Sequence, residues 1–103
     1  MNLDALTNPT GPGELSARVL IVDDRPDSLL ALQAVLSTTG FDLVTADNGY
    51  DAVDRVKEQE FAVILLDVQM PGIDGFETAR QIRLAARGRD VPIIFVTAIN
   101  KDC

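Results

Sequence analysis

The stretch VILLDVQMPGIDGFE, Val63–Glu77, decides how the rest of the chain is read. Six apolar residues, Phe61 to Leu66, run straight into Asp67, and a Pro71-Gly72 turn follows before an acidic helix start. A short apolar run bounded by turn residues reads as a strand covered on both faces. An aspartate closing such a strand is most often a turn residue or a helix cap. Its meaning therefore depends on how the neighbouring strands end.

Working outward, the same unit recurs. RVLIVD (18–23) is a second buried strand, FDLVTA (41–46) a weaker one placed towards an edge, and VPIIFV (91–96) a fourth, with Pro92 tolerable near its start. Pro26 opens a helix whose Leu29, Leu32 and Leu36 recur at helical spacing until Gly40. Asn48 caps a helix with Ala52, Val53 and Val56 on one face. Asp74 and Glu77 have the spacing of a capping box for a third helix, through Ala79, Ile82 and Ala86 and closed near Gly88. The order β-α-β-α-β-α-β predicts a parallel sheet wrapped by helices. Residues 1–17, with NPTGPG at 8–13, read as a flexible leader, and 18–103 as the one ordered domain.

Composition agrees with a single small globular domain: 103 residues, 47% of them hydrophobic. Sixteen acids against nine bases leave a net charge of −7, which disfavours direct nucleic-acid binding and suits a cationic or metal partner. No apolar run approaches the roughly 18 residues of a membrane span, and no secretion signal opens the chain. The single cysteine, Cys103, can form no internal disulfide, so a cytoplasmic location is expected. Arg80, Arg83, Arg87 and Arg89 read as helix-dipole compensation and a solvated face.

In parallel sheets of this kind the working crevice lies beyond the carboxyl ends of the strands. The first strand here ends in Asp23 and Asp24, the third in Asp67, the fourth in Thr97. If those strands are neighbours, carboxylates and a hydroxyl converge. Two carboxylates 4 Å apart repel by roughly 4 kcal/mol at an effective dielectric near 20. Such a cluster either raises a pKa or holds a cation. Without histidine or a usable cysteine, hard oxygen donors point to Mg²⁺ rather than zinc. Mg²⁺ held by carboxylates, waters and a phosphate oxygen is a phosphoryl-transfer geometry.

Through LIVDD (20–24), LLDVQMPGIDGFE (65–77) and IIFVTA (93–98), the chain from Arg18 onward resembles the receiver domain of bacterial two-component response regulators, which also occurs fused to hybrid histidine kinases. The resemblance implies an α/β, flavodoxin-like doubly wound sheet of order 2-1-3-4-5, here incomplete, with strands one to four present and the final helix-strand-helix missing. It implies that Asp67 is the phosphoacceptor, that Asp24 binds Mg²⁺ directly and Asp23 mainly through water, and that the Gln69 backbone carbonyl completes the coordination. Thr97 takes the place of the switch hydroxyl, and Ala98 leaves room for its approach. The implied partners are a histidine kinase or phosphotransfer protein, with no direct role for nucleic acid or membrane. The domain would be no enzyme beyond its own phosphorylation.

The family's lysine follows the fifth strand, and Lys101, in the loop that directly follows Thr97, is not that residue. Phosphorylation of this chain is therefore expected to be impaired, with a non-phosphorylating interaction module carrying a residual acidic metal pocket as the alternative. Dehalogenase-like phosphotransferases carry a second aspartate two residues beyond the nucleophile, where Gln69 stands. Nucleotide binding lacks a Gly-rich loop after the first strand. Without a fifth strand, the fourth becomes an open edge guarded only by Pro92. Without the last helix, Leu20, Val22 and the Leu29–Leu36 stripe are expected to be exposed, leading to self-association through the fourth strand or the sheet face.

Overall fold

The structure is a computed structural model and describes residues 17–96. β1 (Arg18–Val22) lies between β2 (Asp42–Ala46) and β3 (Val63–Asp67), and β4 (Ile93–Val96) pairs with the far side of β3. All pairings are parallel and the order is β2-β1-β3-β4, so FDLVTA does form an edge. β4 starts two residues later than its apolar run suggests, at Ile93, because Pro92 has no N–H to give to the ladder.

Three helices connect the strands: α1 (Pro26–Leu36), α2 (Gly49–Glu58) and α3 (Gly75–Leu84). α1 passes into a 3-10 turn and ends at Gly40, whose φ of 84° is the left-handed conformation that glycine adopts freely. The Asn48 side chain caps α2 by accepting from the Asp51 N–H at 2.8 Å. Asp74 caps α3 by accepting from the Glu77 N–H at 2.9 Å. The expected capping box is only half made. The Glu77 carboxylate turns away to Arg80 and Gln81 instead of reaching back, because a charged guanidinium is the stronger partner.

The main core lies between the sheet and the pair α2 and α3. Leu20, Val22, Ile64 and Leu66 meet Ala52, Val53, Val56 and Ile82 there. The expected exposure of Leu20 and Val22 is therefore overturned, as they are 0% and 1% accessible. The reason is the two-residue period of a strand. Leu20 and Val22 point to the α2/α3 face, while Val19 and Ile21 point to the α1 face. On that second face the less covered positions are Leu65 and its β4 neighbour Ile94. α1 contributes no fully buried residue; Leu29, Leu32 and Leu36 are half-buried, and Leu30 and Val35 are 67% and 68% exposed.

The arginines in and just after α3 do more than balance a dipole. Arg83 donates from one nitrogen to the carbonyls of Gly88, Arg89 and Val91, tying the α3–β4 connection together. Arg80 pairs with Glu77, and Arg87 reaches Glu60 at 3.6 Å. Among the described residues, no helix is long and apolar enough to cross a membrane.

Candidate functional site

β1 and β3 are in register through Val22 and Leu66, so the next residues, Asp23 and Asp67, stand side by side at the carboxyl end of the sheet. Asp67 is the last residue of β3 and is paired across to Val96, the last of β4. The Asp23 N–H donates to the Ala46 carbonyl, which extends the ladder one residue past β1 and fixes where the acidic pair begins. Asp23, Asp24 and Asp67 each offer a carboxylate oxygen, all within 4.8 Å of one another. The sequence expectation that three carboxylates converge is met.

Each carboxylate is held differently. Asp23 Oδ1 accepts from the Arg25 N–H at 3.0 Å, and Asp67 Oδ1 accepts from the Gln69 N–H at 3.2 Å, both as turns within the chain's own exit from the strand. Asp23 and Asp67 are buried. Asp24 Oδ1 is also buried, yet has no hydrogen-bond partner among the described residues. A carboxylate oxygen left so is costly, at roughly 1–3 kcal/mol or more for a charged group. A cation would satisfy it. With oxygen donors alone, the set fits a hard ion such as Mg²⁺.

The cluster opens on two cavities. The larger, about 520 Å³, is bordered by Asp24, Arg25, Gln69, Met70, Asp74 and Phe76, among others. The smaller, about 170 Å³, lies towards α1 and is lined by Asp23, Ser28, Ala31, Leu32, Asp67 and Val96. Phe76, in the first turn of α3, meets Phe95 of β4 with ring centroids 5.0 Å apart, forming an aromatic edge beside the larger cavity. Gln69 borders that cavity and holds Asp67 through its backbone N–H. Thr97 and Ala98 lie outside the described residues.

Two contributors were not visible in the sequence. Gly75 opens α3 directly against the backbone of Asp67 and Val68, and its N–H donates to the Val68 carbonyl at 2.9 Å. The Asp74-Gly75 pair reads as a turn signal, and nothing local says which backbone it must approach. Arg25 brings a positive charge to the wall of the larger cavity. Its place beside the acidic pair was the only available signal.

A profile of the response regulator receiver domain matches residues 19–103. Protein PilH of Pseudomonas aeruginosa is 37% identical over 86 residues, covering 84% of this chain and 71% of PilH. Sensor protein GacS of Pseudomonas syringae pv. syringae is 42% identical over 84 residues, covering 79% of this chain. The match spans only 9% of GacS, a much longer protein. Among solved structures, the receiver domain of sensor histidine kinase PA1611 from Pseudomonas aeruginosa superposes with a TM-score of 0.78 at 32% identity. That alignment covers 84% of this chain and 71% of the solved one, which carries a magnesium ion coordinated in its active-site cleft. The parallel sheet with its acidic strand ends and the match over residues 19–103 agree: the chain belongs to the response regulator receiver domain family of two-component signal transduction.

Proposed function

We propose that residues 18–103 form a phosphoacceptor module, in which Asp67 takes a phosphoryl group from a phosphohistidine on a histidine kinase or phosphotransfer protein. The observation that carries this reading is the buried, unpartnered Asp24 Oδ1 in a carboxylate cluster that includes Asp67. Asp24, Asp67 and the Gln69 carbonyl would hold Mg²⁺ directly, and Asp23 through water. When bound, the ion offsets the negative charge of the transferring group. An Asp67 oxygen attacks phosphorus, the P–N bond breaks, and the imidazole leaves neutral with its proton on the other ring nitrogen. Thr97, bonded to Val96 at the end of β4, is assigned the hydroxyl that meets the new acyl phosphate. The protein acts as a one-time acceptor, not a turnover enzyme, and a cytoplasmic location goes with this role.

The 103-residue chain is expected to transfer slowly. Lys57, the only lysine among the described residues, sits on α2 beside a different cavity, with Arg80 and Leu84. Among the described residues no lysine offsets charge at Asp67, and such electrostatic contributions commonly carry roughly 10² or more in rate. A second reading is an interaction module that keeps the acidic pocket without efficient transfer. Self-association belongs to the proposal too, because β4 pairs on one side only among the described strands and exposes Ile94. Incubation with acetyl phosphate, with Mg²⁺ or with a chelator, separates the readings. Slow, Mg²⁺-dependent acyl-phosphate formation is expected. Labelling that is indifferent to the chelator would count against the phosphoacceptor reading.

A further inference from the structure

The acidic cluster that suits a cation creates a difficulty for the donor. Three carboxylates lie within 4.8 Å, and a divalent ion cancels only two of their charges. A phosphodonor arriving as a dianion still meets net negative charge. The larger cavity, through which Asp24 is reached, has Asp24 and Asp74 on its wall, and Arg25 is the only cation among the described residues lining it.

Arg25 is well placed for an anion. Its backbone N–H is fixed to Asp23 Oδ1 at 3.0 Å, and Pro26 follows it, so the backbone is held extended at φ −104° and ψ 118°. The side chain starts from a set position beside the acidic pair, yet remains 41% exposed. Its guanidinium touches Asp27 Oδ2 at 3.3 Å, and Asp27 is 75% exposed. Solvated ion pairs of this kind are weak and easily exchanged. A phosphoryl group offers the fork of a guanidinium two oxygens at once, a better match than one oxygen of Asp27.

Resting on the phosphoacceptor reading above, we infer that Arg25 is a donor-binding residue, whose guanidinium grips a small dianionic phosphodonor at the mouth of the larger cavity before transfer to Asp67. With an acyl phosphate the step balances without a proton. An Asp67 oxygen bonds to phosphorus, the P–O bond to the donor carboxyl breaks, and the carboxylate leaves with the electron pair.

The test uses the full chain and its Arg25→Ala and Arg25→Lys variants, with acetyl phosphate and phosphoramidate as donors. The acetyl phosphate concentration for half-maximal labelling should rise about five- to tenfold in Arg25→Ala, the worth of one partly exposed charge-assisted contact. Arg25→Lys should recover part of that, and the maximal rate should move less. Phosphoramidate, with less negative charge, should show a smaller shift. Mg²⁺ affinity followed by NMR should hold or improve in Arg25→Ala, because a neighbouring positive charge has gone. Unchanged half-saturation in Arg25→Ala overturns the inference, and so does a joint loss of Mg²⁺ affinity and donor dependence, which would mark a structural role. Absence of label on Asp67 in every variant with both donors would instead defeat the phosphoacceptor reading, and this inference with it.

Discussion

Gly75 stands so close to Asp67 that a Cβ at residue 75 would collide with the Asp67 carbonyl oxygen, with the Val68 α-carbon only 2.8 Å away. The first turn of α3 is thereby seated on the end of β3, and the exit of the chain from Asp67 is set by backbone packing on both sides.

Gly75→Ala should therefore reach the site through the backbone. Relief requires α3 or the end of β3 to shift, and overpacking of this kind costs about 1–3 kcal/mol. Mg²⁺ affinity should fall together with stability. Gly40→Ala is the comparison: an added Cβ there meets nothing within 4 Å, and the strain of φ 84° costs about 1–2 kcal/mol. That variant should lose stability but keep its affinity for Mg²⁺. Urea unfolding and a Mg²⁺ titration on both variants check the distinction; equal affinity in the two would contradict the role given to Gly75.

The carboxylates should contribute unequally to metal binding. Asp24→Ala should weaken Mg²⁺ binding more than Asp23→Ala, because Asp24 Oδ1 has no protein partner while Asp23 Oδ1 already accepts from Arg25. Amide shifts on titration should centre on Asp23, Asp24 and Asp67. Shifts confined to the α2–α3 groove, or a larger loss in Asp23→Ala, would place the ion elsewhere.

A separate acid-side effect belongs to α3. Hydrogen bonds from Arg80 and then Gln81 hold the Glu77 carboxyl down at about 2, from an ordinary 4.5. A depressed folded-state pKa contributes stability that is complete above 4.5 and lost as the pH falls from there towards about 2. The pair is solvated, so the contribution is small. Arg80→Ala should return the Glu77 midpoint towards 4.5, read by carboxyl NMR titration. An unmoved midpoint would show that Arg80 is not the cause.

Association should run through the outer side of β4. Ile94 and Phe95 are 53% and 42% exposed, and the strand carries no charge. Sedimentation at micromolar concentration should show species larger than a monomer, and Ile94→Lys should reduce them, since a charge on an edge strand opposes pairing. A monomer at all concentrations would remove this part of the proposal.

Several features were legible because they are local. Asn48 and Asp74 announce helix starts by residue type, and both side chains accept the cap bond. Asp23, Asp24 and Asp67 were legible because the alternation of strands and helices puts strand ends together. The assignment of Leu20 and Val22 failed for a physical reason: a strand covered on both faces is apolar throughout, so its sequence does not say which residues face which layer. Glu77 was misread because its choice between the Asp74 backbone and Arg80 depends on side chains one turn on. The reach of Arg83 to Gly88, Arg89 and Val91, and the approach of Gly75 to Asp67, depend on the path of the chain and have no signature in spacing.

The central claim is that Asp67 receives the phosphoryl group. Its most direct test is to treat the chain with Mg²⁺ and acetyl phosphate, trap any acyl phosphate by borohydride reduction, and locate the reduced residue by peptide mass spectrometry. The account predicts reduction at Asp67, even if slow, and none in a folded Asp67→Asn variant. Trapping at Asp23, Asp24 or another carboxylate, or undiminished labelling of Asp67→Asn, would contradict it.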